Sequence, residues 1–120
     1  MTGGVQTAAR AIAAGRVLIG AALLASPDLA AQWAGADARR PGGRLVTRAL
    51  GARDAALGAG TLLSGGDPAR LRVWLAVSGA VDAADFAVTL AGPQTPGRGP
   101  VLVIAATAAV TCLAAAAGAE

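Results

Sequence analysis

Histidine is absent from this sequence and cysteine occurs once, at Cys112. Thiol–imidazole catalysis needs both side chains, and protein zinc sites are built mainly from His and Cys, so neither chemistry is expected. One cysteine also excludes an intrachain disulfide. Cys112 reads as a small apolar residue packed in a helix, with an intermolecular crosslink as the alternative. Aromatic residues make up 2% of the chain, Phe86 is the only phenylalanine, and all ten basic residues are arginine. The formal charge of +3 would raise nucleic acid as a partner for a soluble domain. Here the arginines lie mostly in short connections with no aromatic stacking platform among them. They are expected to set topology and meet anionic headgroups, and no nucleic acid is expected. Charge of both signs is scarce, 14% of residues against about 25% in an ordinary soluble domain.

What remains is apolar and small: 55% of residues are hydrophobic and the mean hydropathy is +0.59. Alanine and glycine dominate, which suits helices that approach closely in lipid better than an interdigitated soluble core. The chain therefore reads as one integral membrane domain, 1–120, with spans at about 8–26, 45–65, 70–92 and 100–119. The expected fold is all-α, a four-helix transmembrane bundle with a short interfacial helix after the first span. A soluble alanine-rich bundle is the runner-up. Arg10 and Arg16 before the apolar run Val17 to Ala25 also imitate a signal peptide, although no A-x-A-like cleavage site follows. The expected location is the plasma membrane, multi-pass. Arginine placement leans to termini outside, with the 39–44 and 91–100 connections opposite.

Punctuation between the spans is clear. Ser26-Pro27-Asp28 reads as an N-cap, first-turn proline and first-turn acid opening a short helix to about Ala36, with Leu29 and Trp33 on one side. Arg39 to Gly43 is expected to turn the chain, Gly65-Gly66 to stop a helix, and Asp67-Pro68 to start the next. Pro100 opens the last span. Small residues recur at Ala52, Ala56 and Gly60, and at Ala76, Ala80 and Ala84, which marks two faces for close helix contact.

The apolar background makes the charges within it conspicuous. Arg53, Asp54, Asp82 and Asp85 fall inside expected spans, where each charge costs about 2.5–3.5 kcal/mol on insertion scales and so faces a partner or a water-filled path. Asp82 and Asp85 are three apart on one helical face with Ser78 and Thr89, and Arg53 is the obvious cation for one of them. Asp54 points about 100° away from Arg53 around its helix. It is expected to meet Arg16, the fifth candidate, or a neighbouring protomer. A structural reading makes the cluster a polar lock between helices two and three, and a functional reading makes it a proton, ion or small-ligand site. Catalysis is not expected, no cofactor is implied, and no metal site is expected. The Asp82/Asp85 pair lacks the further carboxylates of a Mg²⁺ clamp, and GARDAALGAG lacks the lysine of a phosphate loop.

The stretch RALGARDAALGAGTLL from Arg48, the arginine-rich turn with Trp74, and VDAADF from Val81 resemble an uncharacterised family of small four-helix membrane proteins common in actinobacteria. Arg16, Pro27 and the Trp33 stretch extend the likeness over nearly the whole chain. The resemblance implies a four-helix integral membrane protein and no assigned biochemical role. The expected function is structural or accessory, with a proton-coupled transporter or channel acting as an oligomer as the alternative. Expected partners are the lipid bilayer and either further copies or another membrane protein.

Overall fold

The computed structural model describes residues 2–118, and its regular structure is helical. Helix α1 spans Thr2–Ala25. It is followed by a 3₁₀ turn at Pro27–Ala30, the single-turn helix α2 at Ala31–Ala34, and a second 3₁₀ turn at Ala36–Arg39. Three long helices complete the chain: α3 Pro41–Leu63, α4 Pro68–Ala91 and α5 Arg98–Gly118. Gly3–Ala25, Pro68–Ala91 and Arg98–Gly118 are long and apolar enough to cross a membrane by length and composition. Helix α3 matches them in length, with 23 residues, but Arg44, Arg48, Arg53 and Asp54 lower its apolar content.

Local chemistry sets most of the ends. The Asp67 carboxylate accepts from the Ala69 and Arg70 amides at 3.0 and 3.3 Å, so it caps α4 ahead of Pro68. Gly65 takes the left-handed conformation (φ +56°) that reverses the chain before it. Ser26, expected to cap the next segment, makes no side-chain cap bond. Gly35, at φ +89°, ends the short helical run after Ala34, close to its expected end near Ala36. The Asp28 carboxylate instead receives two hydrogen bonds from Arg44, at 2.8 and 3.1 Å. That guanidinium holds Asp28 below the usual carboxylate range.

Two helices begin earlier than expected. Helix α1 starts at Thr2 and not near residue 8, because Val5 and Ala9 pack on Leu71, Leu75 and Ala116. Arg10 also donates to the Gly65 carbonyl at 2.8 Å. Residues Pro41, Gly42 and Gly43, expected as a turn, form the first turn of α3. A Cβ on Gly43 would lie 2.8 Å from Ala38 Cα, so glycine is what allows the second 3₁₀ turn to lie against α3.

Helices α1 and α3 run antiparallel and touch through glycine. A Cβ at Gly20 would meet the Gly51 carbonyl and come within 2.6 Å of the Ala55 amide nitrogen. A Cβ at Gly58 would meet the Ala13 carbonyl and lie 2.8 Å from Val17 Cγ2. Helices α4 and α5 form the second antiparallel pair, with Gly79 against Leu113 and with Leu71, Leu75, Cys112, Ala115 and Ala116 in one cluster. The termini of α1 and α5 and the 64–67 turn lie at one end. At the other end the Gly97 amide donates to the Trp33 carbonyl at 3.0 Å, joining the two remaining connections. Of the small-residue faces read from the sequence, Gly60 packs on the Trp74 ring, while Ala52, Ala56, Ala76, Ala80 and Ala84 are exposed and not packed within the bundle. The close contacts of α3 with α1 are made at Gly51, Ala55 and Gly58.

The polarity of the bundle is inverted relative to a water-soluble one. Its buried hydrophobic residues are mostly alanine, and Arg16, Asp82, Thr47, Thr61, Ser64 and Ser78 are buried with them. Outside lie Leu18, Leu45, Val46, Leu63, Val88, Val103, Ile104 and Val110, the least exposed of them at 67%.

Candidate functional site

Helix α1 delivers Arg16 to the point where it faces α3 and α4. One turn of α3 places Gly58 beneath it, and a Cβ there would be 3.1 Å from Arg16 Cβ, so the glycine lets the arginine stem descend into the interior. Arg16 Nη2 donates to Asp82 Oδ2 on α4. Arg16 Nη1 forms an ion pair with Asp54 Oδ1 on α3 at 3.5 Å. Arg53 makes a two-pronged contact with Asp85, Nη1 to Oδ1 at 3.1 Å and Nη2 to Oδ2 at 2.8 Å. Its Nη2 also donates to Asp54 Oδ1 at 3.2 Å.

The five sequence candidates thus form one chain of charges, Asp82–Arg16–Asp54–Arg53–Asp85, with Asp54 Oδ1 shared between the two guanidiniums. It ties α1, α3 and α4. Helix α5 supplies Cys112, buried near Arg16 and Asp82. Burial is graded along the chain of charges: the Arg16 and Asp82 side chains are 9% and 8% exposed, whereas those of Arg53 and Asp85 are 35% and 38% exposed.

Two details differ from the sequence reading. Arg53 takes Asp85, one of the two aspartates open to it, and Asp54 meets Arg16 as expected, but Arg16 also holds Asp82 and is therefore the more buried cation of the network, not an optional member. Asp54 does receive Arg53, despite the 100° between their Cα–Cβ directions, because the guanidinium reaches back across its own helix surface to its neighbour. Ser78, on the Asp82 face and one turn before it, is 1% exposed, and its hydroxyl has no hydrogen-bond partner among the described residues.

Two cavities border the network. The larger, about 450 Å³, is a cleft between α1 and α5 whose floor carries Arg16, Asp54, Asp82 and Asp85. Its walls are Ile12, Gly15 and Ile19 from α1, and Val101, Val103, Ile104, Ala105, Thr107 and Ala108 from α5. The smaller, about 360 Å³, lies toward the joined connections and includes Trp33, Leu50, Thr89 and Arg98. Asp85 and Val101 line both. Nothing in the uniform apolar character of α5 marks these positions out along the chain. Among the described residues no group of three or more His, Cys, Asp and Glu side chains is arranged to hold a metal ion.

No protein family, curated protein or solved structure matches the chain in comparisons.

Proposed function

We propose that this chain is a four-span integral membrane protein with a structural or accessory role, whose five-residue charge network locks three helices in register. The observation that carries this reading is the inverted polarity: large aliphatic side chains outside, with arginine, aspartate, hydroxyls and alanine inside. In water that arrangement would expose a large continuous apolar surface and bury charge without return. In a bilayer it is the ordinary solution, because charged groups turn inward and pair.

The reading includes α3 as the fourth span despite its charges. Its outward residues Leu45, Ala49, Ala52, Ala56 and Leu63 are exposed and apolar, while Arg53 and Asp54 turn inward to partners. Arg44 and Arg48 lie in its first turns, where they can reach headgroups. At 1.5 Å per residue its length is about 34 Å, enough for a hydrocarbon core of about 30 Å. The 27–39 segment, with Leu29 and Trp33, would then rest in the interface. The resemblance to small actinobacterial membrane proteins belongs to the same proposal, as do the plasma membrane location and multi-pass topology. Exposed Ala76, Ala80 and Ala84 would suit a second copy or another membrane protein.

The lock is tested by a double-mutant cycle on its half-exposed arm. Arg53→Ala and Asp85→Asn should each lower thermal stability in detergent. Their coupling should be about 0.6–2 kcal/mol, the range for polar contacts between membrane helices. Additive effects would remove Arg53–Asp85 from the lock. A second reading, a proton or cation pathway, is favoured by one observation: the network's three carboxylates face only two guanidiniums.

A further inference from the structure

The α1/α5 cleft has a charged floor, apolar walls and a mouth formed by residues that are themselves exposed. Ile19, Val103 and Ile104 stand at that mouth, 55%, 67% and 67% exposed. Toward the termini the same two helices close on each other, where Ala9 shares a cluster with Ala115 and Ala116 and Gln6 Nε2 reaches the Gly118 carbonyl at 3.4 Å. The opening is therefore confined to the half of the bundle that holds the network. Alanine at 105 and 108, where a larger side chain would fill the space, leaves that half open.

We propose that this cleft binds a lipophilic organic monocation, entering sideways between α1 and α5. Charge selects the sign of the ligand. Arg16 and Arg53 supply two positive charges against the three carboxylates of Asp54, Asp82 and Asp85, and both guanidiniums are already engaged by those carboxylates. With all five groups ionised the site carries one formal negative charge in excess, in surroundings of low dielectric where a lone charge is strongly felt. Among the described residues that line the cleft the one cation is Arg16, and its carboxylate partners already engage it against an anion. A hard metal ion finds too few oxygens, because it needs six or more ligands and the walls are aliphatic. An organic cation with a delocalised or quaternary centre meets both halves of the site. Its charge answers the carboxylates, its apolar body lies on Ile12, Ile19 and Ile104, and the cavity volume lies within the usual range for small-molecule sites. The inference rests on the membrane reading above and is independent of whether the lock is the chain's main role.

The test uses the full-length protein in a non-ionic detergent and a pair of probes of matched shape and opposite charge, tetraphenylphosphonium and tetraphenylborate, measured by equilibrium dialysis. Tetraphenylphosphonium should bind saturably at one site per chain, and tetraphenylborate should not. Asp82→Asn removes the excess charge and should weaken binding about tenfold, a change of about 1.4 kcal/mol. Ile104→Trp should fill the mouth and abolish binding without touching the network, whereas Val110→Trp, also exposed on α5 but outside the cleft, should leave binding unchanged. Thermal unfolding of each variant separates lost binding from lost fold. Equal binding of both probes, no saturable binding by the wild type, or binding unaffected by a folded Ile104→Trp would overturn the proposal. A protein that stays in washed membranes yet binds neither probe would end this inference alone, and one that leaves the membrane on an alkaline wash would end the membrane reading beneath it.

Discussion

Arg16→Met is expected to be the most destabilising single substitution in this chain. It removes the cation that holds Asp82 and one of the two that hold Asp54, leaving a carboxylate that is 8% exposed without its partner. Breaking a buried pair from one side costs about 3–5 kcal/mol, because the charge left behind has neither water nor partner. Thermal unfolding in detergent should show the loss, and expression in membranes should fall with it. Adding Asp82→Asn to Arg16→Met should recover a large part, since it removes the orphaned charge. Met fills much of the volume of the arginine stem, so a cavity is not the cause of the effect. A double variant no more stable than Arg16→Met would mean that Arg16 acts through packing alone.

The second large effect belongs to the α1/α3 contact. Gly20→Val should cost about 3 kcal/mol, the upper part of the range for overpacking, because the new Cβ would strike backbone atoms of Gly51 and Ala55, which cannot rotate away. The same separation of helices would pull Arg16 from Asp54. The control lies one and a half turns earlier on the same helix. Gly15 has nothing within 4 Å of an added Cβ, so Gly15→Ala should be neutral or stabilise by about 0.5–1 kcal/mol through helix propensity. Equal melting temperatures for Gly20→Val and wild type would show that α1 and α3 do not approach as closely as described.

The way the two effects meet at Arg16 explains what could and could not be read from residues alone. Helix ends were legible where one residue determines them: Asp67 caps and Pro68 starts α4, and the glycine at 65 reverses the chain. The charged positions were legible too, because each breaks an apolar background. Their pairing was legible only in part: Arg53 with one of the two aspartates and Asp54 with Arg16, but not which aspartate Arg53 takes, nor that Arg16 holds the other. Spacing along one helix places Asp82 and Asp85 on a common face but says nothing of which neighbour that face meets, and the answer, Arg16 for one and Arg53 for the other, depends on how α1 and α3 both approach α4. Helix geometry gave Asp54 a direction but not the reach of the guanidinium beside it. The small-residue faces singled out only Gly60 among the contacts inside the bundle, for a related reason. In a chain this rich in alanine, close spacing recurs on every side of a helix. Gly20, Gly51 and Gly58, where a Cβ would collide with backbone of the other helix, are what distinguish the α1/α3 contact face.

Everything proposed for the network depends on α3 crossing the bilayer with Arg53 and Asp54 inside it. The direct measurement is labelling with a membrane-impermeant thiol reagent on intact cells, with single cysteines at Gly42 and Gly66 in a Cys112→Ala background. Both glycines are exposed at opposite ends of α3, and Cys112 itself is 1% exposed. One of the two positions is expected to label on intact cells and the other only after the membrane is permeabilised. Labelling of both from the same side would mean that α3 does not cross, and that the charge network lies outside the membrane.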